Sequence, residues 1–322
     1  MKSSSATQLN TFAADVNAGL SGEPKFLSSK YFYDDEGSRL FQEIMKLPEY
    51  YVTRVEQEIF ETQVAEIHSM FTGHKSEFDL IELGAGDGSK TAVLIEHFLQ
   101  ESADFTYAPI DISQEAVDQL SNKFRADFPA LKMNAQTGDY FRVLESLKTV
   151  SNRRKILLFL GSNIGNFSRT QALGFFQHLR EVMNSDDLLF IGFDLQKDPR
   201  LILQAYDDSQ GVTAAFNLNL LHRINRQLGA NFDVRKFSHY ASYHPIEASA
   251  RSFLISQEEH DVLVGALNRK FHFNQWEPIF MEISQKYNLE MIADLAQASG
   301  FQVAKNFFDR NYYFADSLWR IA

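Results

Sequence analysis

Residues 79–90 read DLIELGAGDGSK. A short apolar run carries one acid, Glu82, and breaks into glycines at 84, 86 and 88 before TAVLIEHFLQ (91–100), whose apolar spacing is helical. Strand, glycine turn and helix make the first half of a βαβ unit, and the rhythm continues outward. FTYAPIDIS (105–113) reads as a strand and QEAVDQLSNKFRADF (114–128) as a helix. KILLFLG (155–161), a helix at about 169–184 and DLLFIGFDL (187–195) follow. The near-continuous apolar runs are those of strands buried on both faces of a parallel sheet, so a doubly wound α/β domain is predicted.

Between 196 and about 285 the rhythm changes to helices punctuated by Pro and Gly, then to strands with alternating pattern. The segment reads as an insertion. From 288 onward a helix ends at Gly300, and two strands joined by the polar turn DRN (309–311) predict a hairpin that closes the sheet with an antiparallel pair. The α/β domain is therefore expected in two pieces, 61–195 and 286–322, with 1–60 and 196–285 forming a second, smaller α+β domain.

Composition narrows the function. The 322 residues carry 42 Asp and Glu against 31 Lys and Arg, a net charge of -11, so the basic footprint of a nucleic-acid or anionic-membrane binder is missing. A small-molecule ligand is expected. With no cysteine there is neither a disulfide framework nor a thiolate metal site, and the closest histidine pair, His239 and His244, lacks metal-helix spacing, so no metal is expected. MKSSSATQLNTF at the start has no long apolar stretch, and a cytoplasmic location is the default expectation. The number of subunits stays open.

The glycine loop suits a nucleotide-like ligand, because glycine lets the backbone turn off a strand and approach a group closely while the following helix start offers amide donors. A dinucleotide fingerprint, G-x-G-x-x-G, would need its third glycine at the position held by Ser89. On the loop alone an NAD enzyme stays open. Glu82, two residues before Gly84, would repel a pyrophosphate but suits a ligand with an ammonium and a sulfonium, as in S-adenosylmethionine (AdoMet). Asp111 at the end of the second strand is placed for ribose hydroxyls, and Asp139 in TGDYF for the adenine amine, although either alone reads equally well as a helix cap.

Five further stretches occur in one order: KYFYDDEGSRLFQEIMKLPEYYVTRVE (30–56), IELGAGDGSKT (81–91), LGSNIGNF (160–167), AYDDSQGVTAAFNLN (205–219) and MEISQKY (281–287). Together they resemble the histidine-specific α-N-methyltransferases, which make trimethylhistidine (hercynine) for ergothioneine biosynthesis. The resemblance implies a Rossmann-like class I AdoMet-dependent methyltransferase fold with a second substrate domain, and a free amino acid as substrate. It implies that Glu82, Gly84, Gly86, Lys90, Asp111, Asp139 and Tyr140 serve the cofactor. Phe41, Tyr50, Asn166, Tyr206, Ser252, Glu282 and Ser284 would line the amino acid pocket, with Tyr33 and Asn166 next to the reacting amine. Ser252 departs from the methionine common in that family and leaves less apolar bulk beside the imidazole.

The residue patterns alone give blander readings of several of these. EIS would be a strand with Glu282 and Ser284 on one solvated face, and EYY core aromatics. YDDEG (33–37) lacks the ligand spacing of a calcium loop and reads as a turn with a helix cap. An α-N-methyltransferase of tryptophan or a derivative is the closest rival, and Glu282 speaks against it because an indole offers a buried carboxylate a single donor.

Overall fold

The computed structural model describes residues 2–73, 77–111, 114–138, 140–150 and 153–322. It forms two compact units, Met1–Tyr51 with Lys197–Ser284 (unit 1) and Val52–Gln196 with Gln285–Ala322 (unit 2). The junction falls at 51/52, nine residues before the boundary expected at 60/61, because 52–60 opens a helix that belongs to unit 2.

Unit 1 begins with α1 (Lys2–Leu20), a two-residue strand β1 (Lys25–Phe26) and α2 (Asp35–Ile44). The YDDEG stretch supplies the start of α2: Asp34 caps it by accepting the Gly37 amide at 2.9 Å. The chain then builds unit 2 with α3 (Val52–Thr72), β2 (Glu77–Leu83), α4 (Ser89–Gln100), β3 (Asp104–Asp111), α5 (Gln114–Asp127) and the short β4 (Lys132–Met133) and β5 (Gln136–Thr137). After these come α6 (Tyr140–Val150), β6 (Arg154–Phe159), α7 (Arg169–Val182) and β7 (Leu188–Asp194).

Back in unit 1, α8 (Pro199–Gln204) and α9 (Val212–Leu228) precede the strands β8 (Phe237–His244), β9 (Ser249–Ser256), β10 (His260–Val264), β11 (Arg269–Phe273) and β12 (Pro278–Gln285). Unit 2 is completed by α10 (Leu289–Ala298), β13 (Phe301–Phe308) and β14 (Phe314–Ile321). The hairpin read from the sequence is there, with β14 antiparallel to both β13 and β7.

The sheet of unit 2 runs β13-β14-β7-β6-β2-β3-β4, with β5 also on β3. Its central strands β3, β2, β6 and β7 are parallel, and the order reverses between β2 and β6. Ligands of open α/β sheets sit at the carboxyl ends of the strands flanking such a reversal. There the chain places the glycine loop, after β2, and LGSNIGNF, after β6. Alternation sorts the strand residues: Ile81, Leu83, Leu157 and Phe159 pack in one core with Phe175 and Phe176 of α7 and Ile292 of α10. Phe78 instead meets Phe98 of α4, which in turn meets Phe71 of α3. Residue 82 shares the face of residue 78, so Glu82 points toward α3 and α4.

Unit 1 holds a four-stranded sheet, β1-β12-β9-β8, and a separate ribbon of β10 with β11. An aromatic row crosses the whole sheet: Tyr240 and Phe253 are ladder partners, Phe253 and Phe280 rings lie 5.7 Å apart, and Phe280 is the partner of Phe26. Such cross-strand pairs fix register. The core of the unit gathers Phe12, Val16 and Leu20 of α1, Leu40 and Ile44 of α2, Phe216, Leu220 and Ile224 of α9, and Leu254, Ile279 and Met281 of the sheet.

Candidate cofactor and amino acid sites

In the glycine loop all three glycines adopt left-handed backbone, with φ of +74° at Gly84, +57° at Gly86 and +66° at Gly88. Their surroundings differ. A Cβ on Gly88 would come within 2.5 Å of Leu120 and Phe124, so this glycine lets α5 pack against the loop. A Cβ on Gly84 would stand 2.9 Å from the Tyr140 hydroxyl, which brings Tyr140 onto the loop. A Cβ on Gly86 would have nothing within 4 Å among the described residues beyond its chain neighbours, and the residue is exposed. Gly86 is where a ligand can approach the backbone.

Asp111 ends β3, half-buried, and its carbonyl accepts the Gly138 amide at 2.9 Å, which draws the start of α6 alongside. Asp139 lies outside the described residues. Glu82 is 3% exposed, and its oxygens accept from Tyr107 Oη at 2.5 Å and Thr91 Oγ1 at 2.8 Å. Burial pushes its carboxyl up to about 7, against the pull of these two hydrogen bonds and the Lys90 charge. Glu82 thus ties the end of β2 to β3 and α4 with contacts of its own.

Lys90, in the first turn of α4, ion-pairs with Glu56 of α3. The other oxygen of Glu56 accepts the Gly161 amide at 2.7 Å. Gly161 opens the second loop with φ +73°, and a Cβ there would lie 3.2 Å from Lys90 Nζ. Ser162 follows, also left-handed at φ +55°, and its Oγ accepts the Asp194 amide at 3.1 Å. A 3-10 turn, Asn163–Asn166, then buries Ile164 and leaves Asn166 exposed at its end. Asn166 therefore stands in unit 2 with the cofactor-side residues, on a loop pinned at Gly161 and Ser162.

The other expected substrate residues all belong to unit 1. Tyr33 meets Phe41 at 5.4 Å and Phe216 at 5.6 Å, edge to face, and Phe41 meets Tyr50 at 6.2 Å. Tyr33 keeps 46% of its surface exposed, and its phenol is raised by desolvation and then by the charges of Glu282 and Tyr206. Tyr206 Oη donates to Ser284 Oγ at 2.6 Å, and Ser284 shares one face of β12 with the half-buried Glu282. Ser252 stands opposite Ala241 in the β8–β9 ladder, 1% exposed, and its Oγ has no hydrogen-bond partner among the described residues. In AYDDSQG the second aspartate, Asp208, turns the chain into α9 by accepting the Gln210, Val212 and Thr213 amides at 2.7–3.1 Å.

Several residues at these sites escaped the sequence reading. Phe216 completes the aromatic cluster from the middle of α9. Glu56, and the fully buried Lys286–Asp194 pair at 2.8 Å, support the loops. Glu56 did leave a signal: Val52, Val55, Ile59 and Phe60 are the buried stripe of α3, and an acid at position 56 sits in the middle of it.

The profile of the family described as "Histidine-specific methyltransferase, SAM-dependent" matches residues 12–321. The histidine N-alpha-methyltransferases of Mycolicibacterium smegmatis and Mycobacterium tuberculosis are each 36% identical over 285 residues, 88% of this chain and 87% of theirs. "Ergothioneine biosynthesis protein 1" of Schizosaccharomyces pombe is 28% identical over 287 residues, 87% of this chain but 37% of that longer protein. AdoMet fits what unit 2 offers: an open approach at Gly86, a lysine at the start of α4 and an acid closing the neighbouring strand. No described helix is long and apolar enough to cross a membrane. With a class I, Rossmann-like sheet and this match over nearly its whole length, the chain belongs to the AdoMet-dependent, histidine-specific methyltransferase family.

Proposed function

We propose that the protein methylates the α-amino group of free L-histidine three times, giving hercynine, the trimethylated betaine, as in ergothioneine biosynthesis. The observation that carries this reading is the group assembled in unit 1 from distant segments: Tyr33, Tyr206, Glu282 and Ser284, with Tyr206 donating to Ser284. A carboxylate and a hydroxyl on one strand face match the two nitrogens of an imidazole, which offers both a donor and an acceptor. An indole leaves one of them unanswered.

AdoMet, when bound, supplies an electrophilic methyl group on a sulfonium. The chain's part is to hold the amine unprotonated and aimed, since the transfer is an in-line displacement by its lone pair. In this assignment Gly84, Gly86, Lys90, Asp111, Asp139 and Tyr140 hold the cofactor, while Glu82 braces the loop from beneath. Asn166 presents a carboxamide that donates to the substrate carboxylate and accepts from the amine, and Tyr206 adds a donor for the carboxylate. Tyr33 flanks the amine, and Phe41 and Tyr50 wall the ring. Ser252, where the family commonly carries methionine, leaves less apolar bulk beside the imidazole. Each transfer releases S-adenosylhomocysteine and leaves an ammonium, and the mono- and dimethylated products regain a lone pair by losing a proton and can react again. The trimethylammonium has none, so the sequence stops at three.

The test is a panel of free amino acids with AdoMet, read by product mass. Histidine is expected to gain three methyls. Histamine, lacking the carboxylate, leaves buried donors unpaired at about 1–3 kcal/mol per group and should react poorly. Preference for tryptophan, or efficient methylation of histamine, sinks the assignment.

A further inference from the structure

Glu56 has no reason to exist in a helix that merely packs. It is 0% exposed, amid Val52, Val55, Ile59 and Phe60, where leucine or methionine would avoid the cost of burying a carboxylate. We propose that Glu56 is a positioning residue that locks the two loops of the cofactor site together, one oxygen holding Lys90 at the start of α4 and the other holding the Gly161 amide. The proposal rests on the reading of the glycine loop and Lys90 as the AdoMet site.

Four observations support it. The carboxylate divides its oxygens between partners 34 and 105 residues away in sequence, so it joins elements that follow different strands of the sheet. The backbone makes room at both points: a Cβ on Gly192 of β7 would lie 2.5 Å from Glu56 Oε1, and one on Gly161 would lie 3.2 Å from Lys90 Nζ. Beside them Asp316, the ladder partner of Gly192, is fully buried, and neither of its carboxyl oxygens has a hydrogen-bond partner among the described residues. Burial and then the Glu56 charge raise the Asp316 carboxyl well above the usual carboxylate range, which disfavours a second negative charge beside Glu56. Lys90 keeps 19% of its side chain exposed, which leaves the ammonium at the rim of the loop rather than sealed beneath it. A lysine held by a carboxylate in this way presents its charge in one place, and the loop bearing Asn166 starts from the same anchor.

The full chain is titrated with AdoMet by calorimetry and assayed with histidine at saturating AdoMet. Glu56→Gln keeps an oxygen for the Gly161 amide but releases Lys90, so AdoMet affinity should fall about tenfold or more while KM for histidine changes by less than about threefold. A merely structural role would lower the melting temperature without that split. In a Lys90→Met background the same substitution should add no more than about twofold, because the residue acts through Lys90. If Glu56→Gln does not fold, Glu56→Asp retains the charge but is too short to span both partners, and weaker AdoMet binding is again expected. Wild-type AdoMet affinity in a folded Glu56→Gln or Glu56→Asp protein, or losses that simply multiply with Lys90→Met, would overturn the proposal. Gly86→Val separates the two levels. If it abolishes AdoMet binding while the Glu56 variants bind normally, only the positioning role fails; if it binds AdoMet as wild type does, the site reading fails and takes the proposal with it.

Discussion

In the proposed assignment the two units meet the demands of a ligand in different ways. In unit 2 the ligand-facing parts are largely backbone: left-handed glycines at the ends of β2 and β6, braced underneath by the carboxyl groups of Glu56 and Glu82 and by the backbone amide of Asp194. In unit 1 they are side chains, the rings of Tyr33 and Phe41 around Phe216 and a hydroxyl pair beside Glu282. A backbone site needs support because a loop offers no packing of its own, and the support consists of buried polar groups. A side-chain site stands on a sheet and a helix that are already packed. Losses at the braces of unit 2 should therefore be large and cooperative, and losses at the lining of unit 1 small and local.

The sharpest way to break this contrast is Glu56→Ala. It strands Lys90 and the Gly161 amide together, and removal of one partner from a buried pair costs about 3–5 kcal/mol, measured by denaturant unfolding. Gly192→Ala should act in the same direction, since its methyl would press on Glu56 Oε1 at 2.5 Å and on the Phe314 ring at 2.8 Å. Loss of under about 1 kcal/mol in Glu56→Ala would mean the braces carry little and the contrast is false.

Glu82 gives the next effect, and its sign is set by linkage. The unfolded carboxyl titrates near 4.5 and the folded one at about 7, so the folded state holds its proton longer. Stability is full below pH 4.5, falls as pH rises toward 7 and is level above, a loss of about 3 kcal/mol at 1.36 kcal/mol per unit. Glu82→Gln should flatten that slope, seen as denaturation midpoints that no longer fall between acid and neutral pH. Equal slopes in the two proteins would remove Glu82 from the account.

In unit 1, Tyr206→Phe deletes the donor to Ser284 and should cost about 1 kcal/mol of stability, with most of the damage appearing in KM for histidine rather than in AdoMet affinity. An equal loss of AdoMet affinity would show that the division of labour is wrong. The smallest change is expected at Asp316→Asn. Burial disfavours the charged form of this acid and the amide is nearly isosteric with it, so the shift should stay within about 1 kcal/mol. A loss as large as that of Glu56→Ala would mean that Asp316 carries charge after all.

Much of unit 2 was legible before any coordinates. Apolar runs, glycine punctuation and helical spacing are local properties, and they gave the strands of the parallel sheet, the glycine loop and the closing hairpin. The left-handed conformation of Gly84, Gly86 and Gly88 follows from the same local pattern. The expected pocket residues in unit 1 came from ordered motifs rather than from physics, since EIS or EYY alone would read as an ordinary strand and ordinary core aromatics. Helix α3 shifted the domain boundary because a buried stripe says that a helix packs, but not against which sheet.

The sequence by itself determined the element types, the split α/β domain, the small-ligand class and the family, because each rests on near neighbours or on the order of motifs. The tertiary structure alone decided that Gly88 serves packing while Gly86 stays open, that Glu82 is engaged by Tyr107 and Thr91, that Phe216 completes the ring cluster, and that Glu56 reaches both Lys90 and Gly161. The physical reason is common to all four. Each depends on atoms brought together by sheet order and helix packing across long sequence separations, and no local propensity encodes which buried acid will find which cation.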